Sequence, residues 1–212
     1  MHEEIGTASI ARVDLLDWRR RIAELYARIR AGGDPQEAWR SWRATRDAMF
    51  HDHPQSPLDP DARALFTGLE YYDYDPSLRL PVELAPVAGG RTEKLYVGPD
   101  GTVPLEPFAR TMGLAPRLGA ELTLYWMAIY GGGVFLPFLD ATSAATTYPG
   151  GRYLLDTVKG ADLGLTPGAP AVLDFNFAYN PSCAYSERWM CPLAPVSNRL
   201  PAAVWAGEKT PV

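Results

Sequence analysis

The sequence predicts a mainly β, α+β protein: an antiparallel β-barrel-like or sandwich domain preceded by an N-terminal helical hairpin. Two observations carry this. Residues 1–53 hold three glycines and one proline, whereas residues 54–212 hold 16 glycines and 19 prolines, so helix-breaking residues crowd the second segment. The second segment also breaks into about eight short runs of β-forming residues separated by turn residues, the pattern of a closed or stacked antiparallel sheet rather than of βαβ units. The domain boundary is therefore expected near residue 53, with a hairpin over 1–53 and a β-rich domain over 54–212.

In the first helix Leu15, Trp18, Ile22, Leu25, Tyr26 and Ile29 recur at three- and four-residue steps and make one apolar stripe. Gly32-Gly33 ends it. Asp34-Pro35-Gln36-Glu37 then starts a second helix: Asp34 can accept from free backbone N–H groups, Pro35 suits the first turn, and Glu37 stands at the capping-box position. Trp39, Trp42, Met49 and Phe50 lie on its apolar side. Two such stripes joined by a short turn must cover the β domain or a second copy of the chain, which makes a homodimer through these helices one reading. Strands are expected over 78–87, 93–97, 102–105, 121–129, 134–138, 151–157, 171–179 and 201–206, with a hairpin turn at Gly98-Pro99-Asp100-Gly101.

Charge and composition exclude several classes of function. Twenty basic against 25 acidic residues leave a net charge of -5, so the broad basic footprint of a nucleic-acid binder is missing. No uncharged apolar run approaches the length of a membrane span, and the start Met1-His2-Glu3-Glu4 is acidic where a secretory signal is basic, so a cytoplasmic, membrane-free protein is expected. Glycines 131–133 lack the Lys-Ser/Thr of a phosphate loop, and no Gly-x-Ser-x-Gly elbow occurs. His51-x-His53 reads as the end of a helix before Pro54 rather than as a metal site, because no third ligand is near. Cys183 and Cys191 match neither a Cys-x-x-Cys nor a zinc spacing, and two reduced thiols are expected. No cofactor is indicated.

Polar residues concentrate in two stretches. Around Asp140, Tyr148, Arg152 and Tyr153 lies one; Asp174, Asn176, Tyr179 and Asn180 form the other, with Asp174 and Asn176 alternating against Phe175, Phe177 and Tyr179 if the segment is a strand. Together with Tyr185 they suit a pocket for a small polar or anionic molecule, with Arg152 as an anion clamp facing it. An alternative is an enzyme in which Asp174 acts as general acid or base and Cys183 as nucleophile.

The runs Phe135-Leu136-Pro137-Phe138-x-Asp140-Ala141-Thr142-Ser143, Tyr148-x-Gly150-Gly151-Arg152-Tyr153-Leu154 and Asp174-Phe175-Asn176-x-Ala178-Tyr179-Asn180-Pro181-x-Cys183-Ala184-Tyr185-Ser186 resemble a microbial family known as domain of unknown function 1684. Cys191-Pro192-Leu193, Asn198-Arg199-Leu200 and Ala206-Gly207-Glu208-Lys209 extend the resemblance, as do Ser56-Pro57-Leu58 and Phe66-x-Gly68-Leu69 upstream. The resemblance implies no activity, but supports treating the two polar stretches as one constellation. At Ala144-Ala145 the chain departs from the glycine expected after Thr-Ser, and a different loop shape is expected there.

Overall fold

In the computed structural model, which describes residues 2–96, 101–166 and 168–211, the hairpin consists of α1 (His2–Arg30) and α2 (Pro35–Asp52). Asp34 caps α2 as its position predicts, Oδ1 accepting the Glu37 N–H at 2.8 Å. Ile22, Leu25, Tyr26, Trp39, Trp42 and Met49 are buried with Tyr71, Ala161 and Phe177 of the β domain. Both large indoles find acceptors: Trp39 Nε1 donates to the Asn176 carbonyl at 3.0 Å and Trp42 Nε1 to the Tyr26 hydroxyl at 3.1 Å. The stripe thus covers the β domain. Farther toward the N-terminus of α1, Ile10, Val13 and Leu16 remain exposed.

After the short helix α3 (Pro60–Ala64) come β1 (Arg79–Pro86), β2 (Glu93–Tyr96), β3 (Thr102–Met112), the one-turn helix α4 (Ala115–Leu118), β4 (Thr123–Met127), β5 (Gly133–Phe138), β6 (Arg152–Asp156) and β7 (Ala171–Asp174). All pairings are antiparallel, in the order β6-β5-β4-β3-β1-β7, and β2 also pairs with β3. The long strand β3 shares one edge between two partners, β2 along 102–105 and β1 along 109–112. Prolines in these strands remove ladder donors, and register shifts fall at two of them, between Pro107 and Ala109 in β3 and between Leu136 and Pro137 in β5. The sheet curls until Tyr153 of β6 and Tyr179, beyond β7, exchange both backbone hydrogen bonds at 2.8 and 3.0 Å. The result is a nearly closed barrel around Leu124, Leu136, Phe138, Leu154, Leu173 and Phe175. The hairpin lies over its seam, α1 against the turn Thr157–Lys159 and α2 against Phe175–Phe177.

Three expectations are corrected. Residues 201–206 form no strand; they run as an irregular strap whose Val204 and Ala206 carbonyls are taken by the Arg152 side chain instead of by a neighbouring strand. Strand β7 stops at Asp174 instead of continuing to 179, because the Asp174 carboxylate accepts the Asn176 N–H at 3.1 Å and winds Phe175–Phe177 into a 3₁₀ turn. The alternation of polar and apolar faces through 174–178 is therefore lost, and all five residues are buried. The strand starting at Thr102 continues to Met112 despite Pro104 and Pro107. Of the turn expected at 98–101, Gly98, Pro99 and Asp100 lie outside the described residues. Among the described residues no helix is long and apolar enough to cross a membrane.

Candidate functional site

Arg152 comes off β6 with 1% exposure and turns toward the C-terminal strap. Its Nη2 donates to Asp140 Oδ2 at 2.8 Å and to the Val204 carbonyl at 3.1 Å, while Nη1 donates to the carbonyls of Ala206 and Glu208. Asp140 is saturated in turn, Oδ1 accepting from Thr142 N–H and Oγ1 and from the Val204 N–H. Both terminal nitrogens of Arg152 thus face protein acceptors, while its Nε is buried without a partner, and the pair ties β6, the 140–147 loop and the strap together. In that loop Ala144 has φ 68°, so the backbone keeps the left-handed conformation a glycine would adopt there.

Asp174 and Asn176 form a second closed knot. Asp174 Oδ1 accepts from the Asn176 N–H and Nδ2, Tyr74 O–H reaches Oδ2 at 3.4 Å, and the Asn176 amide also brackets the Asp75 backbone. Burial raises the Asp174 carboxyl above 3.8 against the pull of Asn176 and Arg79. A third cluster holds Tyr148, Cys183 and Cys191: Tyr148 Oη lies 3.6 Å from Cys183 Sγ, and Cys183 N–H donates to Cys191 Sγ at 3.4 Å.

Tyr153, Tyr179 and Asn180 converge elsewhere, on a cavity of about 70 Å³ between the hairpin and the barrel seam. Trp18, Ile22, Tyr26 and Phe50 of the hairpin cover it, and Lys159, Ala161, Ser182 and Tyr185 complete its walls. Arg46 enters from α2 with 6% exposure. Its Nη2 donates to Glu208 Oε2 at 2.7 Å and its Nε to Tyr71 Oη at 3.1 Å, and its guanidinium lies 5.0 to 5.3 Å from the ring centres of Trp42, Phe50 and Tyr179. Glu208 is held by the strap, where Glu208 N–H donates to the Ala178 carbonyl. Its carboxylate also accepts from Asn180 N–H at 3.0 Å and from the Tyr185 hydroxyl. Gly207, at φ 75°, lets the strap pass there: a Cβ would stand 2.6 Å from the Ala178 carbonyl oxygen.

Two polar groups at this cavity lack partners. Arg46 Nη1 has no acceptor among the described residues, and Asn180 Oδ1 is buried with no donor. Lys159 Nζ adds a second cation at the rim, 3.5 Å from Asp156 Oδ2. The tyrosines stay protonated: burial raises Tyr26 to about 12 and pushes Tyr153 and Tyr179 well above 10. They can donate hydrogen bonds but are poor bases at neutral pH. Among the described residues no group of three or more His, Cys, Asp or Glu side chains is placed to hold a metal.

Of the residues expected to form one pocket, Tyr153, Tyr179, Asn180 and Tyr185 meet at the cavity. Asp140 and Arg152, Asp174 and Asn176, and Tyr148 and Cys183 belong to the three separate clusters. Arg46 was not anticipated, although a signal existed: it lies four residues after Trp42 and three before Met49, a charge set on the buried stripe of α2.

A nearly closed antiparallel barrel, strapped at its C-terminus and sealed along its seam by a helical hairpin, is the class of protein these features define. The chain belongs to the family described as protein of unknown function (DUF1684), whose model matches residues 64–209. It is similar to the solution NMR structure of an uncharacterized protein of Haloarcula marismortui, with 35% identity, 81% of this chain and 91% of that chain covered, and a TM-score of 0.57. No curated protein matches.

Proposed function

We propose that the cavity between the hairpin and the barrel seam binds a small molecule carrying an oxyanion, with a carboxylate as the simplest case. The observation that carries this reading is Arg46 Nη1: a guanidinium N–H on a nearly buried side chain, at a cavity, with no protein acceptor. That nitrogen keeps solvent contact, so an anionic acceptor would exchange a water for a charge-assisted hydrogen bond there. Asn180 Oδ1 asks for a donor on the same ligand, as a hydroxyl would supply. At about 70 Å³ the cavity is far smaller than the roughly 300 Å³ and more of drug-sized pockets, which favours a ligand of a few heavy atoms over a nucleotide. Binding rather than catalysis is favoured because Asp174, the acid–base candidate of the sequence, is engaged in its own knot away from the cavity, and the Glu208 carboxylate is taken up by Arg46, Asn180 and Tyr185.

Thermal shift with acetate, glycolate, malonate and inorganic phosphate tests the reading. Glycolate should raise the melting temperature of the wild type more than acetate does, and Lys159→Met, which removes a rim cation and lowers the ligand-free melting temperature by unpairing Asp156, should weaken the shift measured from its own ligand-free baseline. Equal responses of wild type and Lys159→Met to every anion would contradict it.

A further inference from the structure

We propose that Cys183 and Cys191 form a peroxide-reactive dithiol in which Cys191 is the attacking sulfur and Cys183 the resolving thiol. Both cysteines are free and partly exposed, so a small oxidant can reach them. The Cys183 N–H points at Cys191 Sγ from 3.4 Å, placing a hydrogen-bond donor on that sulfur and bringing the two residues together. The segment just after Cys191 is anchored twice, by the Tyr153 hydroxyl on the Pro192 carbonyl and by the Ala194 N–H on the Gly150 carbonyl at 3.1 Å. Cys183 sits in the turn Ser182–Ala184, with the Tyr148 hydroxyl 3.6 Å from its sulfur.

The electrostatics divide the roles. The hydrogen bond from Cys183 lowers Cys191 to about 6 against the opposing effect of burial, with help from the Cys183 N–H and the Lys159 ammonium. The same hydrogen bond, seen from its donor, and then burial push Cys183 well above 9. The pair favours one thiolate and one thiol, with the charge on Cys191, the sulfur that accepts the Cys183 N–H, an arrangement that suits attack followed by resolution.

The chemistry balances with a hydroperoxide as the oxidant. The Cys191 thiolate attacks one peroxide oxygen; the S–O bond forms, the O–O bond breaks, and the leaving alkoxide or hydroxide takes up a proton. Cys183 then attacks the sulfur of the resulting sulfenic acid. The S–S bond forms as the S–O bond breaks, and the departing hydroxide leaves as water with the Cys183 proton. The dithiol has lost two electrons and the peroxide has become an alcohol, or water, plus one further water.

The test uses the full reduced chain and hydrogen peroxide, read by intact mass and by non-reducing peptide mapping. The expected product is a monomer lighter by two hydrogen atoms with Cys183 linked to Cys191. Cys183→Ser should stop at a sulfenic acid on Cys191 that dimedone traps. Cys191→Ser should react more than about tenfold more slowly, since even a thiol titrating near 8.5 is only about 3% ionised at pH 7. A measurement on the wild type needs neither variant to fold: alkylation of Cys191 by iodoacetamide should level off by about pH 7, where an ordinary thiol is still gaining rate. First oxidation at Cys183, disulfides only between chains, or an ordinary pH profile for Cys191 would each overturn the proposal.

Discussion

Arg152 and Arg46 are both buried arginines, yet the protein treats them differently. Arg152 has four oxygen acceptors on its two terminal nitrogens, supplied by Asp140, Val204, Ala206 and Glu208. Its removal would strand the Asp140 carboxylate, so Arg152→Ala should cost roughly 3–5 kcal/mol in urea denaturation. Arg152→Lys should also be clearly destabilised, because one ammonium cannot replace a fork that reaches both sides. Wild-type stability in either variant would contradict the bracing role. The sequence around Gly151-Arg152-Tyr153 shows that an arginine there needs acceptors, but three of the four are backbone carbonyls of the strap, which no side-chain pattern reveals. Ala144 is a smaller case. A left-handed backbone costs an L-residue about 1–2 kcal/mol while glycine loses about 0.5–1 kcal/mol in chain entropy, so Ala144→Gly should gain a few tenths to about 1 kcal/mol. Thermal unfolding checks the sign.

Elements were legible where local chemistry settles them. The α2 start follows from Asp34-Pro35 and the apolar stripes from helical spacing, and both stand as read. Strand ends were harder, because distant or side-chain partners set them. Beyond Leu173 the chain has strand-like alternation, but the Asp174 side chain captures the Asn176 N–H and ends the ladder. Before β4, Glu121 does not extend the strand: its carboxylate accepts from Thr111 Oγ1 at 2.6 Å and from the N–H groups of Gly113, Leu114 and Ala115, binding β3 to the entry of α4. Burial alone would raise this carboxyl, but Thr111 and the three N–H groups hold it below 4.5. The unfolded chain therefore binds the Glu121 proton at higher pH than the folded chain does. The stabilisation is complete above 4.5 and is lost as the pH falls through the folded value. Glu121→Gln should be less stable than wild type at pH 7, with the gap closing on acidification; a constant gap would contradict the contact. Gly160 shows how closely the hairpin sits on the barrel: at φ 88°, a Cβ there would stand 3.0 to 3.2 Å from atoms of Ala23 in α1.

For the whole molecule, the seam is the decisive feature. The β domain nearly closes at Tyr153 and Tyr179, the hairpin covers that closure, and the strap carries Glu208 to Arg46 from the other side. The N-terminal helices and the barrel-like class are legible from proline, glycine and alternation. The cavity is not, because its walls come from α1, α2, the start of β6, the turn after it and the segment after β7, which only the folded topology brings together. Arg152 also has a partnerless nitrogen, Nε, but it is sealed inside the brace, whereas Arg46 Nη1 opens on the cavity, and that access is what separates a ligand site from an internal brace. The direct measurement is a high-resolution crystal structure of the full chain soaked with glycolate. The predicted result is glycolate in the cavity, its carboxylate on Arg46 Nη1 and its hydroxyl on Asn180 Oδ1. A cavity that holds only water, with Arg46 Nη1 turned onto a protein carbonyl, would contradict the anion site.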